Sequence, residues 1–204
     1  ETLYGTDGAD IINGRGGNDT IFGGGGDDSI CGGPGNDRLY GEDGDDYLFG
    51  AGGRDTLTGG PGQDDMHGGD GDDTLVVTGG NDAFDGDDGV DTADFGLLGH
   101  PVNVTMGGTG VDPLPGPNPA EFTHQQVAVE NLRGTSYGDT LYGTGAANRI
   151  DGGRGGDHIH GSSGVDTLTG GSGSDWIWGG WDGDFIFGGP GNDHLFGDEH
   201  LDHV

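Results

Sequence analysis

The chain has 204 residues, 53 of them Gly, and 37 acidic against 6 basic side chains give a formal net charge of −31 with only 28% hydrophobic residues. That is too little apolar matter for an ordinary globular core, and the charge repels nucleic-acid phosphate while it attracts hard cations. A single cysteine, Cys31, excludes an intramolecular disulfide framework, and no apolar run is long enough to span a bilayer.

In chain order, residues 5–94 divide without a gap into ten nonapeptides, opening GTDGADIIN, GRGGNDTIF, GGGGDDSIC, GGPGNDRLY and closing GDDGVDTAD. The fourth position is always Gly, from Gly8 to Gly89, and the sixth always Asp, from Asp10 to Asp91. The eighth is always apolar: Ile12, Ile21, Ile30, Leu39, Leu48, Leu57, Met66, Leu75, Phe84 and Ala93. Three fixed columns over ten rows exclude a disordered acidic polymer, which has no reason to keep an apolar residue two places after each Asp. Because the chain opens at Glu1 already inside this pattern, it is expected to be a fragment of a longer protein.

Each row reads as a Gly-rich turn followed by a short strand whose middle residue, the eighth column, points inward. Glycine permits positive φ and lets carbonyls crowd toward one point. One row cannot bury its apolar residue alone, so rows stack two per coil into a solenoid with a parallel sheet on each side. Row n then lies beside row n+2, which sets Asp10 by Asp28, Asp28 by Asp46 and Asp19 by Asp37. Such carboxylate columns repel unless a cation lies between them.

Residues 95–133 break the period and predict strand, loop, strand. Val102, Val104 and Met106 alternate, Pro113, Pro115, Pro117 and Pro119 mark the loop, and Val127, Val129 and Leu132 follow. This insertion is expected to cover a sheet edge. A second block, residues 134–204, resumes the period more loosely: Asn148 stands in the Asp column, and Tyr137, Ala146, Asp182 and His200 replace the fourth-column Gly. The expected domains are therefore 1–94, 95–133 and 134–204.

Carboxylates and carbonyls without a thiolate or histidine column are hard-ligand chemistry, which selects Ca²⁺ over zinc or copper and suits it better than Mg²⁺. Rows such as GGPGNDRLY and GGPGNDHLF fit the nonapeptide G-G-x-G-x-D-x-U-x at every defined column. On those rows the chain resembles the RTX, or haemolysin-type, calcium-binding repeat family over nearly its whole length. The resemblance implies an all-β, right-handed parallel β-roll in which each Ca²⁺ sits between loops two rows apart, held by main-chain carbonyls and the Asp carboxylate. It implies a secreted or cell-surface location, export from Gram-negative bacteria by type I secretion, and folding where calcium is plentiful.

Carried onto this chain, the resemblance assigns the ligands of the first block to Gly5, Asp7 and Asp10, to Gly14, Gly16 and Asp19, to Gly23, Gly25 and Asp28, and to Gly32, Pro34 and Asp37. It continues with Gly41, Asp43 and Asp46, Gly50, Gly52 and Asp55, Gly59, Pro61 and Asp64, and Gly68, Asp70 and Asp73, then the carboxylates of Asp82 and Asp91. In the second block it assigns Asp139, Gly152, Arg154 and Asp157, Gly161 and Asp166, Gly170, Ser172 and Asp175, and Asp184, Gly188 and Asp193. Ten rows give eight n to n+2 pairs and eight rows give six, so up to about fourteen Ca²⁺ would nearly cancel the net charge of −31.

Outward columns seven and nine of the second block bring His158, His160, Trp176, Trp178, His194 and Phe196 to one sheet face and Phe185 and Phe187 to the other. The aromatic face is a candidate glycan-, protein- or surface-contact patch, or else packs against the insertion or a linked domain. The G-x-S-x-G match at Ser136 lies inside the repeat register and lacks the following helix that a nucleophile elbow needs. No H-E-x-x-H occurs, and paired exposed histidines such as His158 and His160 are polar surface before they are transition-metal ligands. The function expected is a non-enzymatic calcium-binding module that folds outside the cell and aids export and stability of a larger protein. The alternative is a carbohydrate- or surface-binding module using Trp176 and Trp178.

Overall fold

A computed structural model describes residues 1–80, 82–107, 127–199 and 202–203. The expected proline loop at 113–119 and the His200 position lie outside them. Among the described residues there is no helix; none, therefore, is long and apolar enough to cross a membrane.

The strands in chain order are β1 (Thr2–Tyr4), β2 (Ile11–Asn13), β3 (Thr20–Gly25), β4 (Ser29–Pro34), β5 (Arg38–Asp43), β6 (Tyr47–Gly52) and β7 (Thr56–Thr58). There follow β8 (Asp65–Asp70), β9 (Thr74–Val76), β10 (Ala83–Asp88), β11 (Thr92–Asp94), β12 (Asn103–Thr105), β13 (Val127–Ala128) and β14 (Asn131–Arg133). The last are β15 (Thr140–Tyr142), β16 (Arg149–Asp151), β17 (His158–Ser163), β18 (Thr167–Thr169), β19 (Trp176–Trp181), β20 (Phe185–Phe187) and β21 (His194–Glu199). Each repeat strand begins at the seventh column, and the six-residue ones run on through the third column of the next row.

The chain forms two compact units, one holding Glu1–Asp94 with the segment that ends at Val129, the other Phe95 onward with the segment that begins at Glu130. In the first unit, strands β1, β3, β5, β7, β9 and β11 neighbour one another in that order on one side, and β13, β10, β8, β6, β4 and β2 on the other. In the second, β14, β16, β18 and β20 form one side and β12, β15, β17, β19 and β21 the other. Among the described residues all strand pairings are parallel, and repeat strands pair with an offset of eighteen residues, as in Ile21↔Leu39 and Ile159↔Ile177. Each unit is a β-roll, a solenoid with two rows per coil. The insertion strands join this scheme: β12 pairs with β15, and β13 with β10.

The eighth column is the core. Ile21, Leu39, Leu48, Leu57, Met66, Leu75, Leu141, Ile150, Ile159, Leu168 and Ile177 are completely buried. Full burial of such a side chain contributes about 1.5–3 kcal/mol. Ile12, on the outermost strand of its sheet, is only half-buried. In the second unit Phe95, Leu98, Val102, Val104, Met106 and Leu132 extend the core beyond the repeats.

Candidate metal centre

The turns of the roll set the sixth-column Asp residues in an inner file. In most rows the carboxylate Oδ1 accepts the backbone N–H of the sixth-column residue two rows earlier: Asp37 from Asp19 at 2.7 Å, Asp55 from Asp37 at 2.8 Å, and Asp73 from Asp55 at 2.7 Å. The second unit repeats the arrangement, Asp175 accepting from Asp157 at 2.9 Å and Asp184 from Asp166 at 2.9 Å. The other oxygen, Oδ2, is buried and has no hydrogen-bond partner in Asp19, Asp28, Asp37, Asp46, Asp55, Asp64, Asp73, Asp157, Asp166, Asp175 and Asp184. An ionised buried oxygen with nothing to meet it is costly, about 1–3 kcal/mol or more for each.

What surrounds Oδ2 is other oxygen. A Cβ placed on Gly14 would lie 2.5 Å from the Gly32 carbonyl oxygen and 2.7 Å from Asp19 Oδ2; on Gly152 it would lie 2.5 Å from Asp157 Oδ2 and 2.7 Å from the Gly170 carbonyl oxygen. The first column is Gly because a carboxylate oxygen of its own row and a carbonyl of the row two ahead converge on it. Gly50 with Asp55 and Gly68, Gly161 with Asp166 and Gly179, and Gly170 with Asp175 and Gly188 repeat the convergence. Third-column residues stack in register beside it, Gly25↔Asp43, Pro34↔Gly52 and Gly52↔Asp70, with Arg154 bridged to Ser172. The donor set is oxygen throughout, it is anionic, and it fits Ca²⁺.

Burial, opposed by the backbone N–H bonds and reinforced by neighbouring carboxylates, raises these acids. Asp64, Asp157 and Asp166 are pushed up to about 7, and Asp55 and Asp82 to about 6. Asp37, Asp46, Asp73, Asp175 and Asp184 are raised for the same first reason. The file is thus poised between holding protons and holding a cation.

Three rows are built differently, and sequence reasoning missed them. Where Thr follows the first-column Gly, its N–H and hydroxyl both reach the sixth-column side chain of the same row. Thr6 does so to Asp10 Oδ2 at 2.6 and 2.8 Å, Thr135 to Asp139 Oδ2 at 2.7 and 3.0 Å, and Thr144 to Asn148 Oδ1 at 2.7 and 3.0 Å. The fourth-column N–H then donates back to the Thr hydroxyl, at 3.3 Å from Gly8, 3.0 Å from Tyr137 and 3.1 Å from Ala146.

In most other rows the second column is left-handed, as at Gly24, Gly33, Glu42 and Ser162, a conformation that a β-branched residue resists. The Thr turn removes the need for Gly in the fourth column as well, which is why Tyr137 and Ala146 fit there. Asp10 and Asp139, although in the ligand column, therefore already have protein donors. Thr78, which follows Val77 instead of Gly, bonds to Gly60 and does not make this turn.

The outward aromatic residues share one face of β15, β17, β19 and β21 and stack on each other. Tyr142, His160, Trp178 and Phe196 form one file with centroid spacings of 4.7, 4.3 and 5.5 Å, and ring planes within 10° of each other. His158, Trp176 and His194 form a second, with Trp176 and His194 4.0 Å apart and 2° from parallel. Trp176 is 37% exposed and Trp178 half-buried, so the face is open to solvent while the flat surfaces of its inner rings are occupied. Phe185 and Phe187 lie on β20 of the other sheet. Ser136 is exposed in the turn between β14 and β15, and burial pushes the half-buried Cys31 thiol up, away from a reactive thiolate.

No curated protein matches the chain. A family model described as RTX calcium-binding nonapeptide repeat (4 copies) matches in successive segments, 1–30, 24–57, 32–66 and 58–93 in the first unit, then 129–159 and 160–195. That family is a structural, calcium-binding one, and its matched segments take in both the rows whose inner oxygens lack donors and the Thr-type rows. The chain belongs to the RTX calcium-binding nonapeptide repeat family.

Proposed function

We propose that this chain is a calcium-dependent folding module of a secreted bacterial protein, non-catalytic itself, that binds several Ca²⁺ ions outside the cell and supports the export and stability of the protein it is linked to. The observation that carries this reading is the file of buried Asp Oδ2 atoms without donors, which face a first-column Gly and, in rows such as those of Asp19, Asp55, Asp157 and Asp166, a carbonyl two rows on. A cation between successive turns satisfies both oxygens at once. It also relieves the repulsion among acids whose pKa values burial has raised.

The Thr-type rows reduce the number of ions below the fourteen that a count of row pairs gives. The sites proposed first are those of Asp19 through Asp73 and of Asp157, Asp166, Asp175 and Asp184. The export role follows from the same physics, because a chain this acidic stays unfolded where calcium is scarce and gains its fold where calcium binds only the native state. Calorimetric titration of the chelated chain tests the reading. Several equivalents of Ca²⁺ should bind, with Mg²⁺ far weaker; one equivalent or none would overturn it.

For the aromatic face we propose a stabilising ladder before a glycan platform. Sugar stacking needs a free ring surface, and both flat sides of Trp178 are taken by His160 and Phe196.

A further inference from the structure

Away from the inner Asp file, one group of side chains on the first unit has the composition of a different metal site. His67 ends the x-U-x segment of β8, and the parallel register places Asp85 of β10 directly beside it and Asp87 opposite Gly69. Asp87 occupies a second-column position with φ of 65°, and its N–H donates to Asp85 Oδ1 at 3.0 Å. His67 Nδ1 lies 3.6 Å from Asp87 Oδ2. One ligand atom from each of His67, Asp85 and Asp87 lies within 4.8 Å of the others.

A second contact, on the far side of the imidazole, points the same way. His67 Nε2 lies 3.3 Å from Asp65 Oδ1, so a carboxylate holds the nitrogen that faces away from the cluster. That is the outer-shell partner that orients a metal-ligating histidine, keeping the proton on Nε2 and the lone pair of Nδ1 toward the metal. Tyr47 packs beside the ring at a centroid distance of 5.6 Å and limits its rotation.

We propose that His67, Asp85 and Asp87 bind a divalent first-row transition cation, with Zn²⁺ as the representative ion, at a site separate from the calcium turns. An imidazole nitrogen with two carboxylates is a borderline donor set that suits zinc rather than calcium, whose sites in this chain are oxygen only. Half-buried His67 and Asp85 and exposed Asp87 leave the remaining coordination positions to water. The ion ties one coil to the next, since His67 belongs to β8 and both carboxylates to β10. The sequence weighed His158 and His160 for a transition metal and favoured polar surface; in the structure these stack on Trp176 and Trp178.

The test is a Zn²⁺ titration of the whole chain held in saturating Ca²⁺, followed by calorimetry, with the Co²⁺ visible spectrum as a second readout. The expected result is one equivalent with a Kd below about 100 μM, weakened at least about tenfold in His67→Ala and in Asp87→Asn. Calcium-dependent circular dichroism should remain unchanged in both variants. Asp85→Asn, which keeps an acceptor for the Asp87 N–H, should weaken zinc without loosening the turn. Zinc binding unaltered by His67→Ala, or no saturation below millimolar zinc while the calcium-dependent fold is intact, overturns the site and leaves an ion-pair cluster only. Failure of the fold to respond to calcium is a separate result and bears on the calcium reading alone.

Discussion

Asp175 Oδ1 accepts the N–H of Asp157 at 2.9 Å, while Asp157 Oδ2 has no partner and faces Gly152 and the carbonyl of Gly170. One oxygen of each acid thus secures the coil and the other is reserved. The two oxygens can be separated by substitution. In Asp157→Asn the amide oxygen can keep the bond to the Asp139 N–H while the anionic charge is lost. We predict that calcium affinity falls by about an order of magnitude, while residual strand content in chelator rises. Parallel calcium titrations by circular dichroism check both signs.

The raised acids give a pH dependence whose sign is opposite with and without metal. Asp64, Asp157 and Asp166 titrate near 7 in the metal-free fold against an ordinary 3.8. The folded state therefore binds more protons, and the stability that this confers is complete below 3.8 and lost as pH rises through about 7. In chelator, strand content should be greater at pH 4.5 than at pH 8. With calcium present, protons compete for the same oxygens, so the calcium midpoint should shift upward as pH falls from 7 toward 5.

The Thr turns predict where a site cannot be restored by one change. Asn148 Nδ2 donates to the Glu130 carbonyl at 2.9 Å and its Oδ1 is held by Thr144. Asn148→Asp alone should add no calcium and should cost about 1–3 kcal/mol, because a carboxylate then faces that carbonyl. The double change Thr144→Gly with Asn148→Asp frees both oxygens and should add calcium binding. Calorimetric stoichiometry and denaturation in saturating calcium distinguish the two variants.

For the ring ladder, Trp178→Ala removes stacking on both sides at once. We predict a loss of about 1–3 kcal/mol in the calcium-loaded state, from two aromatic contacts of about 0.5–1.5 kcal/mol each. Calcium stoichiometry should not change. Urea denaturation of the variant in saturating calcium measures the loss.

The nine-residue period carried much of the fold: the eighteen-residue pairing offset, the buried file from Ile21 to Ile186, and the inner Asp column follow from the columns alone. Other features depend on quantities that a column does not encode. The Thr6, Thr135 and Thr144 turns depend on which second-column residues accept left-handed φ, and the usable signal was Gly-Thr in place of Gly-Gly. The stacking of His160 on Trp178 depends on a side-chain rotamer repeated across coils. The His67 cluster depends on Asp87, whose reach toward β8 comes from its positive φ rather than from its place in the alternation.

The central claim, that calcium supplies the cohesion this small core lacks, is tested most directly by far-ultraviolet circular dichroism of the whole chain at pH 7.5 before and after chelation. The account predicts loss of the strand signal on chelation and its steep return as calcium is added back. A chelated chain that keeps its full strand signal would contradict it.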